Sequence, residues 1–253
     1  MKKIIITITA FFIFQLAVNA QTLFIAKGKI EFEKKVNMWK DIDSWADEGD
    51  GNSWLQEIKK TIPQFELSYF NLLFDDNKTL YQPGRELPFD PKVPDWFRGP
   101  ATDNIIFTNL GAQQSVSKKT VFDNTFLIQD SSRKIDWRIT SDLRTIAGFE
   151  CRKAVGRIMD SVYVIAFYTD QIITSGGPES FNGLPGMILG VAIPRINTTW
   201  FATKLELEEI KPQDLITPAK GKKVDQAGLL KQLQGPMKDW GKLGQRYIWK
   251  IMI

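Results

Sequence analysis

From residue 26 onward the chain alternates apolar and polar positions. In AKGKIEFEKKV, Ile30 and Phe32 alternate with Glu31 and Glu33, which is the period of a strand with one face buried. The same reading recurs in NIIFTNL, KKTVFDNTFLIQD, KIDWRIT, VYVIAFYT and TTWFATKLELEEI. Turn signals such as Asp123-Asn124 and Ala147-Gly148 fall between several of these runs, so the pattern predicts an antiparallel meander. Two stretches carry a helical period instead. NSWLQEIKKTI begins at a natural cap, Asn52 or Ser53, places Trp54, Leu55, Ile58 and Ile62 at helical spacing and stops before Pro63. VDQAGLLKQLQ repeats the pattern from Asp225 to Gln234, with Gly228 as a weak point. The expected fold class is mainly β (α+β), with one or two helices packed on a sheet.

Two irregular stretches interrupt the alternation. Residues 82–100, QPGRELPFDPKVPDWFRGP, hold five prolines and two glycines, so they form an arm outside the sheet. Phe89, Trp96 and Phe97 lie in it and are candidates for a binding lip, the alternative being aromatics folded onto the body. FNGLPGMILGVAI, residues 181–193, sets Gly183-Leu184-Pro185-Gly186 directly against an apolar run. Pro185 presets φ for the second position of a type II turn and Gly186 supplies the positive φ of the third. The expected role is a stiff corner that fixes strand register.

The N-terminus changes the compartment. Residues 1–20 join Lys2-Lys3 to an apolar core and end in Val18-Asn19-Ala20, the pattern of a cleaved secretory signal. The mature chain is expected to start at Gln21. No later run reaches the length of a membrane span, and the only cysteine is Cys151, far from the position a bacterial lipid anchor needs. The expected location is periplasmic or outer-membrane associated, and not that of a lipoprotein. Thirty-three basic residues less Lys2 and Lys3 leave 31 against 29 acidic ones, too small an excess to imply nucleic acid.

Composition then narrows the chemistry. The chain has no histidine, which removes the histidine triad, the histidine general base and the two-histidine zinc site. One cysteine allows no CxxC redox pair and no internal disulfide. As a lone thiol at the start of a strand, Cys151 reads as a small buried hydrophobe, or, if exposed, as a thiol whose pKa Arg152 and Lys153 would lower. Glu206 and Glu208, alternating with Leu205 and Leu207 on a strand, read either as paired acids or as a solvated charged face. DIDSWADEGDGN offers Asp41, Asp43, Asp47 and Asp50 as oxygen donors, but Trp45 stands at the third ligand position and no glutamate at the twelfth, so an acidic loop is preferred to calcium. No catalytic residue, metal or cofactor is assigned. Eight tryptophans are many for this length, and Trp39, Trp45, Trp54 and Trp96 crowd the irregular N-terminal third, which suits a groove or interface. Trp45 and Trp54 therefore join Phe89, Trp96 and Phe97 as candidate ligand- or partner-binding residues.

Several ordered motifs carry a family resemblance. KIEFEKKVNM, LLFDDNKTLYQP, NIIFTNL, VFDNTFLIQD, IDWRITSDLRTIAGFECRKAVG, AFYTDQI and SGGPESFNGLPG together resemble the GLPGLI family of secreted Bacteroidetes proteins, with Met187 in place of the leucine. The resemblance covers roughly residues 25–210 and departs at IAFYT, at the longer WADEGDGNSWLQEIKKTI and over the last 40 residues. It implies a β domain over residues 21–210, followed by a C-terminal extension with a short helix over 211–253. The motif order also resembles the curved antiparallel sheet or open half-barrel of LolA-like carriers. What the resemblance implies for function is a non-enzymatic accessory or binding protein at the outer membrane, acting with a membrane protein complex such as a TonB-dependent receptor. The alternatives are a carrier that holds a lipid or other apolar small ligand in the concave face of the sheet, and, last, a carboxylate-based hydrolase.

Overall fold

The computed structural model describes residues 24–44, 53–88, 93, 98–159 and 161–253. Residues 1–23, including the expected signal segment, lie outside it. So do Trp45, Asp47, Asp50, Phe89, Trp96 and Phe97.

Among the described residues, the alternating runs fold as one open sheet of twelve strands in the order β12-β6-β5-β4-β3-β2-β1-β11-β10-β9-β8-β7. Strands β1 (Lys27–Asn37), β2 (Phe65–Asp75), β3 (Lys78–Pro83), β4 (Ile105–Asn109), β5 (Gln114–Val121) and β6 (Asn124–Ser131) form one meander. A second runs through β7 (Arg138–Ile146), β8 (Phe149–Ile158), β9 (Val162–Thr169), β10 (Met187–Ile193) and β11 (Thr198–Glu206). The β1–β11 ladder joins the two. Ladders between these strands are antiparallel, as the alternation predicts; β12 (Lys222–Val224) departs by pairing parallel to β6. The period-2 reading also decides the core: Ile30 and Phe32 of β1 and Phe70, Leu72 and Phe74 of β2 are buried, each such side chain contributing about 1.5–3 kcal/mol.

Where KIDWRIT reads as one strand, β7 begins only at Arg138. Residues 132–137 cross the sheet instead, because Gly156 on β8 leaves a notch that Ile135 and Trp137 fill. A Cβ there would meet Ile135 Cγ2 at 2.5 Å. Trp137 Nε1 then donates to Asn182 O at 2.9 Å.

The α-helices among the described residues are α1 (Met38–Asp43), α2 (Ser53–Thr61), α3 (Gln226–Met237) and α4 (Gly241–Met252). On α2, Leu55 and Ile58, with Ile62 just beyond, pack with Met38, Ile42 and Val93. Trp54, expected on that face, is 55% exposed. Asp225 caps α3 by accepting from Gly228 N at 2.7 Å. A Cβ on Gly228 would sit 2.7 Å from that carboxylate oxygen, so the weak point of the helix pattern is the residue that lets the cap close. Helices α3 and α4 lay Leu229, Leu233, Ile248 and Ile251 onto Val121, Phe126 and Ile128. No helix among the described residues is long and apolar enough to cross a membrane.

The turn at residues 183–186 keeps its glycine logic and changes its type. Gly186 has φ +130° and Gly183 φ +90°. The closing bond, however, runs from Gly186 N to Leu184 O at 2.8 Å, a three-residue γ-turn around Pro185. Met187 N, which a type II turn would send to Leu184, donates to Ile172 O at 3.0 Å. The turn ends a loop over residues 174–186 that packs inside the sheet. A Cβ on Gly176 would lie 2.7 Å from Thr79 Cγ2, and Phe181 and Leu184 belong to the main core.

Candidate functional site

Beside this buried loop lies a cleft of about 680 Å³, within the range of ligand sites. Its floor joins four segments. β1 contributes Lys34, the buried loop Glu179, β11 Trp200 and α4 Lys250, while Glu66 of β2 and Asp41 of α1 stand at one side. Phe65, Leu67 and Leu87 line the rim, each 36–40% exposed.

Glu179 is the most constrained of these groups. Its side chain is 1% exposed and its φ is +51°, a left-handed conformation that costs a non-glycine residue of order 1 kcal/mol. One carboxylate oxygen accepts from Asn104 Nδ2 at 2.9 Å and the other stands 3.8 Å from Lys34 Nζ. Lys34 lies over the rings of Phe70 and Trp200, 5.6 Å from each centroid, so its charge is stabilised by ring faces and not by a close acceptor. Asp41 receives Lys250 Nζ at 2.5 Å, Asn197 Nδ2 at 2.9 Å and the Arg246 guanidinium. Burial pushes Lys250 below the ordinary lysine range despite this partner. It also pushes the Glu66 carboxyl up, outweighing Arg98 3.7 Å away and the nearby Lys34.

Behind the floor, Lys119 Nζ donates to Ile251 O at 3.0 Å and Ser180 Oγ to Ile253 O at 2.7 Å, while Arg133 donates to Met252 O. Cations at these last carbonyls complement the C-terminal end of α4. Burial lowers Lys119 to about 8. Since its ordinary value is 10.5, the unfolded chain binds more protons between pH 8 and 10.5, and stability rises with pH across that window. Lys119→Met removes this dependence. The melting temperature of the wild type relative to the variant should climb from pH 8 to 10; a flat difference refutes the assignment.

Of the residues expected at a binding site, Trp54 is on α2 and does not line the cleft; Trp45, Phe89, Trp96 and Phe97 lie outside the described residues. Of the four acids weighed as calcium donors, with an acidic loop preferred, Asp41 is engaged as above and Asp43 pairs with Lys59, while Asp47 and Asp50 lie outside the described residues. Glu206 ends β11, and Glu208 lies beyond it. Both meet Lys29, at 2.6 and 3.1 Å, and hydrogen bonds from Lys204 and Lys29 hold Glu206 down to about 2, which suits a charged surface and not a proton donor. Cys151 is fully buried and burial raises it to about 11. A thiol reagent at pH 8 should therefore leave the native protein unmodified and label it once urea is added; labelling of the folded chain would contradict this environment.

The alternation contained one overlooked signal. In IEFEKKV, Lys34 shares the parity of Ile30, Phe32 and Val36, and a lysine on the buried face of a strand marks a site.

A family model described as "Protein of unknown function (Porph_ging)" matches residues 156–190, a stretch that contains β9, the buried loop with Glu179 and the turn at Gly186. No curated protein matches the chain. Among solved structures, "Structure of PNGF-II in P21 space group" is similar with a TM-score of 0.51 and 14% identity, over 86% of this chain and 34% of that one. "Structure of PNGF-II in C2 space group" gives 0.49 and 14%, over 88% and 33%. The chain spans about a third of the length of these proteins, and at this identity the likeness is one of fold alone.

Proposed function

We propose that this chain is an exported, non-catalytic binding protein of the GLPGLI family that acts at the outer membrane with an envelope protein complex, and that the cleft is its partner site. The observation that carries the reading is the cleft floor, where Lys34, Glu179 and Trp200 converge with charged groups held away from water. Burying charge is costly, and a floor of this kind with a strained glutamate is where a binding function is built. The family assignment draws on the ordered motifs of the sequence and on the match over residues 156–190. The non-catalytic reading draws on the lack of histidine and on the buried thiol of Cys151.

A lipid carrier is less favoured, because five of the six floor and side residues, all but Trp200, carry carboxyl or ammonium groups that apolar chains would strand. Location at the envelope follows from the signal-like residues 1–20.

Photo-crosslinking tests the reading in the cell. A crosslinkable residue in place of Leu87, on the rim, should capture an envelope protein in the host, and Lys34→Ala should reduce that product. Capture of lipid alone, or a product that Lys34→Ala leaves unchanged, would count against it.

A further inference from the structure

Among the described residues, one lane of the sheet beside the cleft holds no strand. β2 runs eleven residues and β3 only six, so the β2–β3 ladder ends at Phe70↔Pro83 and its last bond is Gly84 N to Tyr69 O at 2.8 Å. Beyond Pro83 the chain peels away. The β1–β2 ladder has no bulge from Lys27↔Asp75 to Asn37↔Phe65, so parity is preserved along β2. Tyr69 faces β3, and Phe65 and Leu67 therefore point their N–H and C=O groups the same way, into the lane, with no backbone partner among the described residues. These two donor–acceptor sets stand about 6.7 Å apart, the repeat of a strand.

We infer, resting on the cleft reading above, that this lane receives an extended peptide segment of a partner protein as an added strand, with an acidic side chain turned toward Lys34. The cleft already holds the space, about 680 Å³ beside Phe65–Tyr69. Side chains of an added strand alternate between the two faces. Outward ones meet Phe65, Leu67 and Leu87, which calls for apolar residues. Inward ones meet the face of Ser68, whose register partner is Lys34. Charge decides the inward residue. Glu179 accepts from Asn104, Asp41 from Lys250 and Arg246, and Glu66 has Arg98 beside it. Lys34, 13% exposed with its nearest carboxylate at 3.8 Å, is the ammonium with hydrogen-bonding capacity left over. Backbone groups in the lane that have no partner among the described residues also disfavour a hydrocarbon ligand.

A linear heptapeptide library displayed on phage and selected against the mature protein tests this. Enriched peptides should alternate apolar residues and carry Asp or Glu. A synthetic copy should slow hydrogen exchange at the Phe65 and Leu67 amides, and N-methylation of alternate peptide amides should weaken it about tenfold. Lys34→Met and acid→amide in the peptide should weaken binding without adding to each other. Leu67→Pro, which removes the lane donor and leaves the β1 ladder intact, should abolish selection; its melting curve checks that it folds, and the N-methylated peptide gives the same answer without altering the protein. Selected peptides that bind without amide protection, or no enrichment over Leu67→Pro, overturn the added strand. So does inorganic phosphate bound at Lys34 with Leu67 unprotected, or a concentration-dependent dimer that occupies the lane. An envelope protein crosslinked at Leu87 in any of these cases leaves the cleft reading standing and removes only the strand.

Discussion

Asp41→Ala should lower the unfolding free energy by about 3–5 kcal/mol. The carboxylate side chain is 6% exposed and sits between Arg246 and Lys250, 11% and 19% exposed. Removing it leaves two cations from α4 without the carboxylate that both donate to, and the cost is that of uncompensated buried charge, not of one hydrogen bond. A companion variant separates these. Asp41→Ala with Lys250→Met and Arg246→Met removes the charges together and should recover a large part of the loss, because replacing a whole buried ion cluster by apolar groups is often close to neutral. Urea denaturation of the three proteins checks the account. A loss below about 1 kcal/mol for Asp41→Ala would place the cluster in the surface class and contradict it.

Gly186→Val is the second large effect, expected at about 3 kcal/mol or more. Two independent costs add. The φ of +130° is one that a β-branched residue rarely adopts. A Cβ would also fall 2.1 Å from Thr169 O and 2.8 Å from its carbonyl carbon, so main chain must move. Since Gly186 joins the buried loop to β10, that movement reaches Met187 and Ile188, both fully buried. Gly148 gives the control: its φ is +86° but no atom lies within 4 Å of a Cβ there, so Gly148→Ala should cost about 1 kcal/mol. Equal losses at the two glycines would mean that φ alone matters and that the close approach to Thr169 carries nothing.

Period-2 alternation made most of the sheet legible, because a strand with one wet face writes that face into the sequence. β1, β4, the β5–β6 hairpin, β9 and β11 all follow it. It failed at KIDWRIT, where the notch at Gly156 draws Ile135 and Trp137 across the sheet, a cause that lies on another strand and leaves no local mark. The turn at Gly186 was legible as a glycine with positive φ, yet its hydrogen-bond type was not, since Met187 pairs with Ile172, fifteen residues back in the chain. The candidate site divides in the same way. Lys34 announces itself by parity with Ile30 and Phe32. Glu179 sits in SGGPESFN, whose composition marks a loop and does not show that tertiary packing against Thr79 and Trp137 buries it. Tryptophan crowding pointed to Trp54, which the packing of Leu55 and Ile62 turns out to solvent.

A protein partner held in the cleft at Lys34 should travel with the wild-type chain. The most direct test is native mass spectrometry of the mature protein gently isolated from its own host's envelope, run beside Lys34→Ala. A complex with a second polypeptide that the wild type retains and Lys34→Ala loses is expected, with circular dichroism showing that the variant is still folded. A bare wild-type chain, or a small apolar mass that Lys34→Ala retains equally, would contradict it.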